Sequence, residues 1–216
     1  SLHQTLERLQ TDSPDLHLFH KFDPKVPLDE SLTAMQETRH SHLIRAAGCS
    51  NFSAAQLREA LDLSERLGIE RLEVTETIYN LIDREAEKEI LPLCRERTLG
   101  FFGYSPLAAG FLTGKYSRDN IAKNTHQSQE TAAPHTRFDV VPDYQKMYFQ
   151  DEKFRAVEDL QETSARVGIP AVQLATAWAL SHPGVTTVLI GARSTAHLDN
   201  AIEAARLAAS GTLPVL

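Results

Sequence analysis

Apolar runs and amphipathic patterns alternate along the chain at a steady interval. Strand-like runs begin at Leu16, Ile44, Leu72 and Leu99, so that their starts are 28, 28 and 27 residues apart. The predicted strands are Leu16–Phe22, Ile44–Cys49, Leu72–Ile78 and Leu99–Tyr104, and the helix-like patterns between them are Leu28–Glu37, Ala54–Leu67 and Arg84–Arg97. This alternation predicts βα units around a parallel sheet, and it fits a doubly wound sheet and a barrel equally well.

Local residue chemistry predicts where the helices begin and end. Ser53 and Gln56 are spaced as a capping box, in which each side chain bonds to a free backbone amide at the helix start. Asp83 is placed to cap the helix that follows it. Gly68 and Gly100 follow arginine-containing turns and can adopt the left-handed conformation that ends a helix.

The regular spacing ends after Tyr116. Ser117–Gln150 is rich in polar residues and proline, shows no sustained period, and is too long for a simple connection. We therefore expect a functional loop over a site. The stretch contains Phe138, Tyr144, Tyr148 and Phe149, which fit an apolar wall of a substrate pocket or ordinary core packing.

Patterned segments also lie on either side of this loop. The later helices are predicted over Glu152–Val167, Ala171–Ser181 and Thr195–Leu207, with a strand over Val185–Ile190 and a partial helix over Ser1–Gln10. The inventory is therefore five strands, each followed by at least one helix.

Composition excludes several classes of function. The 216 residues carry 22 Lys and Arg against 29 Asp and Glu, and this net charge of −7 argues against nucleic acid and anionic membranes as general partners. No apolar run approaches the roughly 20 residues of a membrane span, and no leader pattern is seen. The two cysteines, Cys49 and Cys94, predict neither a disulfide framework nor a metal site, and they favour a cytoplasmic location.

Polar, aromatic and basic residues follow the predicted strands. In parallel βα proteins, ligands bind at the carboxyl ends of the strands. Ser50-Asn51 could hydrogen-bond to an amide, and Tyr104 could stack on a planar heteroaromatic ring. Taken singly, each has a simpler interpretation: Ser50-Asn51 as a helix cap, and His20 as a packed histidine.

Two later segments suit anions. Ser105–Lys115 offers small residues, backbone amides and a cation, which favours a pyrophosphate. Gly191–Ser194 precedes a helix start, where free amides and the helix dipole favour an anion and Arg193 adds a forked cation. Alone, the second segment could be a plain turn and Lys115 a solvated charge.

In this order, the segments resemble the aldo-keto reductase family. The resemblance runs from Ser1 to about Arg206, and most of its weight lies in Arg45–Asn51 and Tyr104–Gly110. The matching motifs are Asp15–Asp23 (DLHLFHKFD), Ile44–Phe52 (IRAAGCSNF), Tyr79–Leu81, Tyr104–Leu107 with Gly110, Gly114–Tyr116 and Gly191–Ser194.

The resemblance implies an α/β fold, a parallel (β/α)8 TIM barrel that binds NADPH and reduces aldehydes or ketones to alcohols. About five of its eight βα units would be present here. His20 would be the catalytic histidine that orients the substrate carbonyl. Ser50 and Asn51 would hold the nicotinamide carboxamide, and Tyr104 would stack on its ring. The remaining implied cofactor contacts are Glu76 near the carboxamide, Ser105, Leu107, Gly110 and Lys115 along the pyrophosphate and ribose, and Gly191, Arg193, Ser194 and His197 around the 2′-phosphate.

The chain also departs from the family pattern. The family usually has glutamine where this chain has Glu76, which adds a charge near the carboxamide. The family's general acid is a tyrosine, assisted by a lysine and an aspartate, all carried before the strand that matches Leu16–Phe22. The resemblance therefore implies that residues 1–216 are a single, amino-terminally incomplete barrel domain without the catalytic tyrosine.

Three hypotheses follow for function. The first is an NADPH-dependent oxidoreductase acting on a small carbonyl substrate. The second is a non-catalytic nucleotide-binding or regulatory relative, since the family includes ion-channel accessory subunits. The third is an inactive truncated product. Because five strands do not close a barrel, we also expect a partner chain or oligomer to cover the open edge.

Overall fold

The computed structural model describes residues 2–118, 138, 141 and 143–216. These residues form two compact units. The first comprises Ser1–Thr77 and Ala86–Phe102, and the second comprises Ile78–Glu85 and Gly103–Leu216. Part of the predicted loop Ser117–Gln150, namely residues 119–137, 139–140 and 142, lies outside the described residues, as does Ser1.

Five strands form one sheet in the order of the sequence, β1-β2-β3-β4-β5. They are β1 Leu16–Phe19, β2 Ala46–Ser50, β3 Val74–Ile78, β4 Gly100–Tyr104 and β5 Thr187–Leu189. The pairs β1–β2 and β2–β3 are parallel, with Phe19 beside Cys49 and Ser50 beside Glu76. Each strand begins within two residues of its predicted start. The prediction of a parallel α/β architecture is confirmed.

Eight helices accompany the strands in the described part of the chain. They are α1 Leu2–Leu9, α2 Leu28–His40, α3 Ala54–Leu67, α4 Ile90–Arg97, α5 Asp143–Tyr148, α6 Asp151–Val167, α7 Ala171–Ser181 and α8 Thr195–Ser210. Short 3₁₀ segments cover Glu85–Glu87 and Ala108–Thr113. Among the helices of the described residues, none has the length and apolar content that crossing a membrane requires.

In the first unit, β2 lies between β1 and β3 at close range. A Cβ atom at Gly48 would lie 2.5 Å from Leu18 Cδ2 and 2.6 Å from the Val74 carbonyl oxygen. Only glycine therefore allows the neighbouring strands to approach this closely. The close approach brings the carboxyl ends of three strands together, and the predicted site residues of this unit lie there.

The helix boundaries confirm two of the sequence predictions and correct two others. Ser53 and Gln56 form the predicted capping box at the start of α3, and Gly68 ends that helix in the left-handed conformation, at φ 65°. The prediction for Asp83 is wrong, because the N-cap of α4 is Glu89 and the helix begins seven residues after Asp83. Gly100 begins β4 instead of ending a helix; Thr98 takes the left-handed conformation, at φ 54°.

The core of the second unit is aromatic. Phe111 is fully buried and lies against five other rings, those of Tyr116, Phe138, Tyr148, Phe149 and Phe154, with centroids 5.1–6.3 Å away. The aromatic residues of the predicted loop therefore pack in the core, and this decides between the two interpretations left open by the sequence. Within that predicted irregular stretch, the structure adds the helix α5.

Candidate functional site

The ends of β1, β2 and β3 are connected by hydrogen bonds between predicted site residues. The side-chain amide of Asn51 donates to the backbone carbonyl of His20 and to the hydroxyl of Ser50, both at 3.0 Å. The Ser50 hydroxyl donates to a Glu76 carboxylate oxygen at 3.1 Å, and the Asn51 backbone amide donates to the Glu76 carbonyl at 2.9 Å. The structure thus brings together all four predicted residues of the first unit.

The backbone explains why these residue types meet. Asn51 has φ +59°, a left-handed conformation that asparagine tolerates better than most residues. This turn directs its side chain back across the strand ends. Ser50 is buried with 3% exposure, yet its hydroxyl has partners on both sides. The N-cap of α3 is Ser53, so Ser50-Asn51 is not the cap of that helix. His20 is exposed at the end of β1.

In the second unit, the segment after β4 has an unusual run of left-handed residues. Ser105, Ala108 and Ala109 have φ values of 55°, 49° and 55°, and Gly110 has 94°. The Ser105 carbonyl accepts the Ala108 backbone amide at 2.9 Å. At the step from Leu107, at φ −105°, to Ala108 the backbone passes from the right-handed to the left-handed region, and such steps occur in anion-binding turns. Tyr104, half-buried at the end of β4, precedes this segment.

A cation lies beside the glycine of this segment. A Cβ atom at Gly110 would lie 3.1 Å from the Lys115 amino nitrogen, so the absent side chain leaves room for that cation near the backbone. The Lys115 ammonium also lies 4.9 Å from the centre of the Tyr116 ring. Small residues, left-handed backbone and one ammonium group therefore fit a doubly charged pyrophosphate.

The last predicted segment lies before α8. Ser194 is the N-cap residue of this 16-residue helix, with extended backbone. The backbone amide of Arg193 donates to Nδ1 of His197 at 3.2 Å. Gly191, Arg193, Ser194 and His197 are all exposed. A helix start with an exposed guanidinium in front of it can bind a phosphate.

The sequence did not reveal a buried polar network in the second unit. Asp83 accepts the Lys153 ammonium on one carboxylate oxygen at 3.0 Å. Its other oxygen accepts the Tyr148 hydroxyl at 2.7 Å and the Asn80 side-chain amide at 3.0 Å. The side chains of Lys153 and Asp83 are only 14% and 9% exposed. Asn80 belongs to a motif that the sequence did single out, but Tyr148 and Lys153, the other partners of Asp83, lie 65 and 70 residues after it.

This network contains a tyrosine, a lysine and an aspartate, the residue types of the family's acid group, but its electrostatics are those of a structural network. Burial and the neighbouring Asp83 carboxylate raise the pKa of Tyr148 well above that of an ordinary phenol. A general acid needs a pKa near the working pH, so the shift is in the wrong direction. Tyr148 is moreover fully buried. It therefore does not replace a catalytic tyrosine.

Parallel βα units with polar residues at the strand ends define the chain as an α/β protein. The family model for the aldo/keto reductase family matches residues 1–210, and the chain belongs to this family. The family resemblance seen in the sequence is confirmed. The (β/α)8 barrel is the fold of this family, and the described sheet and helices are part of one.

Individual relatives are identical to this chain at about a third of the aligned positions. A probable voltage-gated potassium channel subunit beta from Oryza sativa subsp. japonica is 33% identical over 88% of this chain and 56% of its own length. The aldo-keto reductase YhdN of Bacillus subtilis is 32% identical over 90% of the chain and 54% of its own length. The NADH-specific methylglyoxal reductase of Escherichia coli is 30% identical over 87% and 53%. The chain thus spans little more than half the length of these relatives.

Proposed function

We propose that the protein containing this chain is an NADPH-dependent oxidoreductase that reduces aldehydes or ketones to alcohols. Membership of the aldo/keto reductase family supports a general oxidoreductase role. The observation that carries the proposal is the hydrogen-bonded set formed by Asn51, Ser50 and Glu76 at neighbouring strand ends. A set of fixed donors and acceptors of this kind suits a carboxamide such as that of nicotinamide.

The residues at the strand ends have distinct roles in this proposal. The bound dinucleotide supplies a hydride, and the protein positions and polarises what it reacts with. Ser50 and Asn51 bind the carboxamide, Tyr104 covers one face of the ring, and His20 orients the substrate carbonyl. Because the Ser50 hydroxyl donates to Glu76, its lone pairs face the Asn51 amide and a further donor such as the carboxamide NH₂.

The phosphates are assigned to the second unit. Ser105, Leu107, Gly110 and Lys115 follow the pyrophosphate, because the left-handed backbone and the ammonium group beside Gly110 favour negative charge. Gly191, Arg193, Ser194 and His197 surround the 2′-phosphate of NADPH at the start of α8. The relative named as NADH-specific makes the choice between the two cofactors a direct question for experiment.

A second candidate is a nucleotide-binding regulatory subunit. It is favoured by the relative named as a probable potassium channel subunit beta and by the carboxylate of Glu76 at the carboxamide position. We further propose a cytoplasmic location. We also propose that a partner chain or a second copy covers the outer strands β1 and β5, which end the described sheet.

The experiment that tests the proposal is calorimetric titration of NADPH and NADH into the chain and three variants. Only NADPH carries a 2′-phosphate, so Arg193→Ala weakens NADPH by about 10–100-fold and leaves NADH nearly unchanged. Lys115→Ala weakens both cofactors, because both carry the pyrophosphate. Arg155→Ala, which removes an exposed arginine of α6, is the matched control and changes neither affinity.

Turnover is measured separately, by oxidation of NADPH at 340 nm with a panel of aldehydes and ketones. Cofactor binding together with turnover by the full-length protein supports the oxidoreductase, whereas binding without turnover of any carbonyl compound supports the regulatory subunit. Absence of binding up to millimolar cofactor would overturn both.

A further inference from the structure

The buried network around Asp83 reaches the start of the cofactor-binding segment. Asn80 is fully buried, and its side-chain amide donates both to Asp83 and to the backbone carbonyl of Ser105, each at 3.0 Å. Its side-chain oxygen accepts the backbone amides of Ile82 and Asp83 at 3.0 Å and 2.9 Å. Every polar atom of this amide therefore has a defined partner, and only one orientation of the side chain satisfies all of them.

Ser105 has a backbone conformation that needs such support. Its φ of +55° is unfavourable for a serine, and an unfavourable conformation persists only where its surroundings fix it. The Ser105 carbonyl accepts both the Asn80 amide and the Ala108 backbone amide. Immediately before it, the backbone carbonyl of Tyr104 accepts the backbone amide of Tyr79 at 3.1 Å. The turn into the anion-binding segment is thus fixed from the Tyr79-Asn80 side.

A buried ion pair in turn holds Asn80. An aspartate and a lysine that are only 9% and 14% exposed are costly to bury, and such pairs often stabilise a fold no more than apolar residues would. Their better-attested contribution is to specify one arrangement. Here the Asp83 carboxylate has defined partners on both oxygens, Lys153 on one and Tyr148 and Asn80 on the other. The carboxylate therefore presents a fixed acceptor to Asn80.

We propose that Asp83 and Asn80 are positioning residues for the cofactor: the buried Lys153–Asp83 pair orients the Asn80 amide, which holds the Ser105 carbonyl and so presets the backbone of Ser105–Lys115 for a pyrophosphate. This inference rests on the assignment of that segment to the pyrophosphate in the proposed function. Neither residue touches the cofactor in this scheme. Their contribution is preorganisation, because a segment already in its binding conformation does not have to be ordered when the ligand arrives.

The test compares two ligands that use different parts of the second unit. NADPH carries the pyrophosphate, whereas 2′-AMP carries only the adenosine and the 2′-phosphate assigned to the start of α8. Asn80→Ala removes the donor to Ser105, and the loss of one such hydrogen bond corresponds to roughly a tenfold weaker NADPH affinity. The affinity for 2′-AMP stays within about twofold. A general loss of folding would instead weaken both ligands equally.

Two further variants separate positioning from stability. The double variant Asp83→Ala with Lys153→Met removes both buried charges together, so that neither is left unpaired, and it should lose NADPH affinity as Asn80→Ala does. Tyr148→Phe is the matched control, because it removes one hydrogen bond to Asp83 but keeps the ion pair and the Asn80–Ser105 bond. Its NADPH affinity stays within about twofold of the original chain.

The outcomes distinguish this inference from the proposed function. All affinities are measured at a temperature at which circular dichroism shows every variant folded. If the original chain binds NADPH and Asn80→Ala binds it equally well, the positioning role is overturned while the cofactor assignment stands. If Asn80→Ala and the double variant lose affinity for NADPH and for 2′-AMP to the same extent, the network is structural only, which also overturns the inference. If the original chain binds neither ligand, the failure lies with the proposed function itself.

Discussion

Replacing Phe111 by alanine removes the centre of the aromatic core of the second unit. Phe111 is completely buried and lies within 5.1–6.3 Å of five ring centroids. Truncation of a buried phenylalanine costs about 3–5 kcal/mol, because the transfer free energy is lost and a cavity remains. With a urea dependence of about 2 kcal/mol per molar, the unfolding midpoint should fall by about 1.5–2.5 M.

The assay is urea unfolding followed by fluorescence. The single tryptophan, Trp178, lies in α7, so its emission reports on the same unit as Phe111. Phe111→Leu is the control: it keeps most of the apolar volume and should cost about 1.5 kcal/mol or less. A fall in the alanine variant's midpoint of less than about 0.5 M would refute the reasoning, since a cavity at the centre of this core could not be so well tolerated.

Two other predictions concern the strand ends and the first-unit core. Glu76→Gln should weaken NADP⁺ relative to NADPH by about tenfold, because the oxidised ring is positive and a nearby carboxylate favours it by about 1.4 kcal/mol. Calorimetry that finds the same ratio of NADP⁺ to NADPH affinity in both proteins would contradict the carboxamide assignment. Burial raises the pKa of the Cys49 thiol from about 9 to about 12. Below pH 9 the thiol is protonated in both the folded and the unfolded chain, so its ionisation does not change the stability there. Between pH 9 and 12 only the unfolded chain ionises, and the stability of the fold therefore falls as the pH rises. Thiol labelling of the folded protein at pH 8 should accordingly be slow at Cys49, and fast labelling without unfolding would show that the site is open.

The sequence predicted what depends on neighbours along the chain. Strand starts followed from the 28-residue apolar spacing, and the Ser53–Gln56 capping box followed from a three-residue interval. Both depend on interactions within one turn or one strand. The meeting of the polar strand ends was also predictable, because a parallel sheet brings the carboxyl ends of all its strands to one edge.

The errors share a different cause, namely partners that are distant in the sequence. Aspartate is a common helix-capping residue, but the Asp83 carboxylate accepts hydrogen bonds from Tyr148 and Lys153, which lie 65 and 70 residues further along the chain. Gly100 was expected to end a helix, but Thr98 takes the left-handed conformation there and Gly100 enters the sheet. Local pattern could show that these residues were special, but it could not show which long-range contact would use them.

Through the link from Asn51 and Ser50 to Glu76, the side chains at the ends of two neighbouring βα units depend on one another. A hydroxyl that donates to a carboxylate must reverse its polarity if that carboxylate becomes an amide donor, and the asparagine beside it must then adjust. A loop that brings a different residue to position 76 therefore also changes the direction in which the Ser50 hydroxyl donates. An engineer who transplants one strand-end loop from a relative into this chain will have to move the neighbouring loop with it.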